Sequence, residues 1–127
     1  MKKKGFTLVE LLAVITLIGV LGLITVPIIN TTIKNSRKKA FKETLSAIVD
    51  AAKIYNADTD YLVITEHTGI NVLDQNLKYE NKSQILEGRL YYRSGAYYFD
   101  YAVSKYYCAY GYIEDIEIYD INSDECD

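Results

Sequence analysis

The chain has 127 residues, room for one domain, with 50% hydrophobic residues and a formal net charge of -3. An acidic balance repels phosphate backbones, so nucleic acid is not expected as the default partner. One histidine (His67) and two cysteines offer little from which to build a metal cluster or a catalytic dyad, so no enzyme activity, metal or cofactor is expected.

The chain opens on Lys2, Lys3 and Lys4, followed by Phe6 to Ile29, 24 residues with the single charge of Glu10. That run is longer than the roughly 7–15-residue apolar stretch of a secretory signal, and no small-x-small cleavage site closes it. As a helix it rises about 36 Å, enough to cross a hydrocarbon core of about 30 Å. It reads as a retained membrane anchor, with the lysines placing the N-terminus in the cytoplasm and the remainder outside. A carboxylate inside an apolar span costs up to about 2.5–3.5 kcal/mol at mid-depth and less near the edge. Glu10 is therefore either a glutamate close to the interface or one awaiting a cation. Cutting after Gly5 supplies such a cation, the new amine of Phe6 on a neighbouring subunit. A buried pair of that kind adds little net stability, but misalignment leaves a charge unpaired, so it fixes axial register.

Lys4-Gly5-Phe6-Thr7-Leu8-Val9-Glu10-Leu11-Leu12 resembles the processing motif of type IV pilins and type II secretion pseudopilins. The resemblance covers about the first 30 residues. It implies removal of residues 1–5 by a prepilin peptidase that also methylates the new N-terminus. Gly5 and Phe6 would then flank the cut, Phe6 would carry the methyl group, and Glu10 would neutralise a neighbour's amine. Pro27 stands where many members carry a helix-bending proline.

Pro27 removes a backbone donor and crowds the carbonyl four residues back. Gly19, Gly22 and Thr25 are weak helix formers, so a kink or a loosened stretch is expected near 19–27. Past Asn30, Phe41, Leu45, Ile48, Ala52 and Tyr55 recur at helical spacing as one apolar face, which Ile33 and Val49 extend. Lys34, Lys38, Lys42, Asp50 and Lys53 fill much of the other side. One helix from about Phe6 to Ala57, bent at Pro27, follows from this pattern, its second half (about 31–57) needing a sheet to cover its apolar face.

Strand signals occupy about 62–121. Leu62 to Thr65 is a short β-prone run, and Gly69 to Leu77 fits a strand or a helical turn. Gly88–Arg93 and Ala96–Tyr101 flank Ser94-Gly95 as a hairpin. Lys105–Tyr112 and Ile116–Ile121 read as two more strands, the last with a bulge or an early end. The expected class is α+β, a long N-terminal helix against a small antiparallel sheet. The resemblance implies the same layout, with four strands or fewer. Ten of the 13 tyrosines lie between Tyr91 and Tyr119. They read as half-buried strand residues, apolar ring inward and hydroxyl outward, with an adhesive aromatic surface as the alternative.

Cys108 and Cys126 form one disulfide if the head is exported, or two free thiols in a reducing compartment. Many pilins staple the C-terminal segment with such a bridge. Charge is segregated: Lys34, Arg37, Lys38, Lys39 and Lys42 follow the anchor, and Glu114 to Asp127 carries seven acids and no base. The organisation expected is a leader at 1–5, a transmembrane or filament-core helix at 6–29, and an extracytoplasmic head at 30–127. The function expected is a structural subunit of a type IV pilus-like filament. The alternative is a minor or tip subunit that binds a target in secretion, adhesion or DNA uptake. The partners implied are other pilins, the prepilin peptidase, the membrane before assembly, and an inner-membrane assembly platform. The subunit would start as a single-pass membrane protein and end in a filament at the cell surface.

Overall fold

The computed structural model describes residues 5, 7–59 and 63–126. The fold is α+β: one long helix, α1 (Leu8–Asp58), and a five-stranded antiparallel sheet. The chain divides into two units, residues 1–37 and residues 38–127, with α1 running through both.

In the first unit α1 is unbroken across Gly19, Gly22 and Pro27. Every large apolar side chain from Leu8 to Ile33 is exposed, between 41% and 82%. The threonine hydroxyls of this stretch are satisfied locally. The hydroxyls of Thr16, Thr25, Thr31 and Thr32 donate to the carbonyls of Leu12, Leu21, Pro27 and Ile28, at 2.6–3.1 Å. Such back-bonding lets threonine sit in an apolar helix without an unpaired hydroxyl.

In the second unit the helix buries Phe41, Thr44, Leu45, Ile48, Val49, Ala51, Ala52 and Asn56. Four of the five residues expected on this face are buried there. Tyr55 is half-buried against the core, and Ile33, expected to extend the face, is exposed. The sheet supplies the cover. Its strands run in chain order: β1 (Ile70–Asn71), β2 (Ile85–Arg93), β3 (Ala96–Ser104), β4 (Tyr107–Tyr112) and β5 (Glu117–Asp120). Each neighbouring pair is antiparallel. Leu90 and Phe99 are fully buried opposite each other on the helix-facing side, and Phe41 stacks on Tyr107 with ring centroids 6.0 Å apart.

The turns follow local chemistry. Ser94 and Gly95 both have positive φ (53° and 82°), as a two-residue hairpin requires if its twist is to match the strands. At Gly88 a Cβ would lie 2.8 Å from Val72 Cγ2 and 2.9 Å from the Tyr101 carbonyl oxygen, so only glycine admits this close approach. β5 ends at Asp120, before Ile121, the early end that its broken alternation announced.

Two expectations are corrected. The sheet has five strands where the resemblance implied four or fewer; the added one lies within Gly69 to Leu77, for which a strand was one of two readings, and pairs Ile70 with Leu90 and Asn71 with Arg89 at the β2 edge. The run expected as a strand at Leu62 to Thr65 is not one over Val63–Thr65; Leu62 lies outside the described residues. The reason is Asn56. Its Oδ1 accepts from the backbone N–H groups of Val63 (3.2 Å) and Ile64 (3.0 Å). Its Nδ2 donates to the Ile64 carbonyl (3.4 Å) and the Tyr97 hydroxyl (3.0 Å). The donors a strand would use are thus committed to a helix side chain.

Replacing Asn56 with Ala leaves two backbone donors and the Tyr97 hydroxyl without this partner. The expected cost is about 2–4 kcal/mol, read as a fall in the urea midpoint of the full chain in detergent. Replacing the exposed Ile54 with Ala serves as control and changes stability by about 0.5 kcal/mol or less.

Stability also depends on alkaline pH. The Tyr79 hydroxyl donates to the Val72 carbonyl at 2.7 Å, and burial pushes its pKa from 10.0 up to about 12. The folded chain therefore holds this proton to higher pH than the unfolded chain. The contribution is intact below pH 10 and is lost as pH rises through about 12. Burial also raises the Tyr97 pKa, against the opposing effect of the Asn56 hydrogen bond. The urea midpoint is expected to fall across this window, and to fall less steeply in Tyr79→Phe.

Candidate functional site

The N-terminal turn of α1 is built by its own sequence. The Thr7 hydroxyl oxygen accepts from the backbone N–H of Glu10 at 3.2 Å, so Thr7 acts as the N-cap. Leu11 N–H reaches the Thr7 carbonyl at 3.1 Å and closes the first helical turn. Thr7-Leu8-Val9-Glu10 is the Ser/Thr-x-x-Glu pattern that starts helices. Glu10 also lies in the first turn, where the helix dipole favours a carboxylate.

Of the residues singled out in this segment, Gly5 and Glu10 are exposed. Phe6 lies outside the described residues. Among the described residues no cation pairs with the Glu10 carboxylate. Gly19 and Gly22 have open space where a Cβ would stand, with no atom within 4 Å. They are therefore not required by packing within the chain. Pro27 has no N–H to offer the carbonyl of Leu23. The helix is long and apolar enough to cross a membrane, and the apolar window responsible is not buried inside the structure.

The head holds three further features. Cys108 and Cys126 are bridged, Cα atoms 5.7 Å apart, tying the end of the chain to β4. The bridge closes a segment of 18 residues, worth roughly 3 kcal/mol in the chain-entropy account. The second feature is a row of tyrosines. Register sets Tyr91 opposite Tyr98, and Tyr98 opposite Tyr112, on the sheet face that alternates with buried Leu90 and Phe99. The Tyr98 and Tyr112 rings meet edge to face, 5.2 Å apart. All three are half-buried, on the face away from the helix rather than with rings turned to the core. Spacing alone did not reveal the row, because it depends on cross-strand register.

The third feature is a cavity of about 320 Å³ whose lining includes Val49, Lys53, Tyr92, Tyr97, Tyr112 and Glu114. Its lining includes one cation, Lys53, and one carboxylate, Glu114.

Residues 1–26 match the family model of the prokaryotic N-terminal methylation motif. No curated protein and no solved structure matches the chain. The match supports a type IV pilin-like or pseudopilin protein, which suggests a structural role. Together with the apolar helix it fits a membrane-anchored precursor. The N-terminus of this chain carries the prepilin signal of the type IV pilins and pseudopilins.

Proposed function

We propose that the chain is a structural subunit of a type IV pilus-like filament, cut after Gly5, methylated at Phe6 and assembled through α1. The observation that carries this reading is the coincidence of the methylation motif with a helix whose apolar surface finds no cover among the described residues. A helix apolar all round is stable only in lipid or among other apolar helices. The membrane provides the first environment before assembly, and neighbouring subunits provide the second.

In this reading each part of the segment has a task. A small residue at Gly5 fits the peptidase cleft. Thr7 fixes the helix start, and Glu10 then takes the amine of a neighbour's Phe6, setting axial register. The open flanks of Gly19 and Gly22 let neighbouring helices approach closely, as small residues do in apolar helix packing. Pro27 with these glycines makes 19–27 the stretch most ready to bend or loosen on assembly. The partners are other pilins, the prepilin peptidase and an inner-membrane assembly platform, and the final location is the cell surface.

A second reading is a scarce tip subunit that binds a target through its head. The observation favouring it is the cross-strand row of Tyr91, Tyr98 and Tyr112. Abundance in sheared filaments separates the two.

Intact mass spectrometry of sheared surface material is expected to give the mass of residues 6–127 plus one methyl group, less two hydrogens for the bridge. A full-length species confined to the membrane fraction would overturn the proposal. Gly5→Ala is expected to be cut and Gly5→Leu not; equal cutting of both removes the cleft argument. Glu10→Ala is expected to be cut normally while its amount in sheared filaments drops roughly tenfold or more. Unchanged incorporation would rule out the register role.

A further inference from the structure

The head carries opposite charges on separate, exposed surfaces. Lys38, Lys39 and Lys42 project from α1 at its entry into the second unit, all three exposed. Glu114, Asp115, Glu117, Asp120, Asp124 and Glu125 are likewise exposed. Among the described residues no ion pair joins these lysines to these acids, although both sets belong to the same unit.

The acidic segment is held in a fixed form. The Cys108–Cys126 bridge anchors its end to β4, and β5 pairs with β4 from Glu117 to Asp120. Ile121 N–H donates to the Tyr106 carbonyl at 2.9 Å, and Cys126 N–H to the Ser123 carbonyl at 3.2 Å. An acidic segment held in this way has little backbone freedom left to lose on docking, unlike a free acidic tail.

We propose that Lys38, Lys39 and Lys42 of one subunit dock against the acidic C-terminal segment of a second copy of this chain. The proposal rests on the filament reading above. The occupant is chosen by charge. Once residues 1–5 are lost, 11 basic side chains stand against 17 acidic ones, so copies repel unless their patches meet in opposite-sign register. An isologous contact could set the lysines of each copy on the acids of the other, but it closes as a dimer and cannot extend into a filament. A head-to-tail contact can, and repeated without closing it generates a helical filament. Each exposed pair contributes little alone, but the contact recurs at every subunit and penalises misaligned neighbours.

The test is charge reversal in the full chain expressed in cells, read as the ratio of processed subunit in sheared filaments to processed subunit left in the membrane. Lys38→Glu, Lys39→Glu and Lys42→Glu together form the basic variant; Glu114→Lys, Asp115→Lys and Glu117→Lys together form the acidic variant. Each is expected to lower the ratio roughly tenfold, and the two sets combined in one chain are expected to restore it. Unchanged ratios in both variants would overturn the contact. Loss with the basic variant alone, not restored by the combined one, would also overturn it and assign the lysines to an anionic membrane surface. Near-UV dichroism of each purified variant identifies a head that fails to fold, and milder Lys→Gln and Glu→Gln sets then replace the reversals. Failure of the unaltered chain to enter filaments would instead defeat the filament reading itself.

Discussion

Cover for the apolar stripe from Phe41 to Ala52 is the constraint on which the head depends. A helix surface of that kind leaves Leu45, Ile48, Val49 and Ala52 in water unless another element lies over it, and the sheet does so with Leu90, Phe99, Ala102 and Ala109. Burying a large apolar side chain is worth about 1.5–3 kcal/mol, so this one contact supplies much of what holds the small sheet in place. Asn56 ends the stripe. Being polar on a buried face, it must find partners, and all of its amide valences go to Val63, Ile64 and Tyr97. The apolar stripe holds the sheet against the helix, and Asn56 ties the chain leaving the helix to β3.

The same helix meets a different physical requirement in its first unit. From Leu8 to Ile29 the side chains are apolar on every side, and the hydroxyls of Thr16 and Thr25 turn back to carbonyls one turn earlier. Nothing polar is left to demand water, which suits lipid or a core of similar helices. The exception is Glu10, whose backbone is capped by Thr7 but whose carboxylate has no cationic partner among the described residues. A charge kept at such a position needs a partner or an interface, and the filament reading proposed above takes the first.

The end of the chain shows how a covalent link and charge act together. Acids crowded between Glu114 and Glu125 repel one another, and an unanchored segment of this composition would stay extended in water. The bridge from Cys126 to Cys108 and the pairing of β5 with β4 hold it in one shape. Tyr119 joins in by donating to a Glu117 carboxylate oxygen at 2.9 Å, and that bond raises its pKa first, with burial and nearby carboxylates adding to the effect.

Much was legible in the sequence because it rests on local rules. The 24-residue apolar run, the helical spacing from Phe41 to Tyr55 and the Ser94-Gly95 turn each report structure through residues near one another in the chain. The processing segment is legible for the same reason, since its chemistry lies within a few consecutive residues. Three things needed the tertiary structure. Asn56 looked like one more polar residue at the end of a helix; its role exists only because Tyr97 is brought within 3.0 Å of it. The β1 strand is two residues long, so the sequence left Gly69 to Leu77 open between strand and helical turn until pairing with Leu90 and Arg89 decided it. The tyrosine row depends on register between β2, β3 and β4, and register is fixed by which faces are buried. Local periodicity and motif chemistry act over a few residues, whereas cross-strand alignment and buried polar partners depend on segments far apart in the chain.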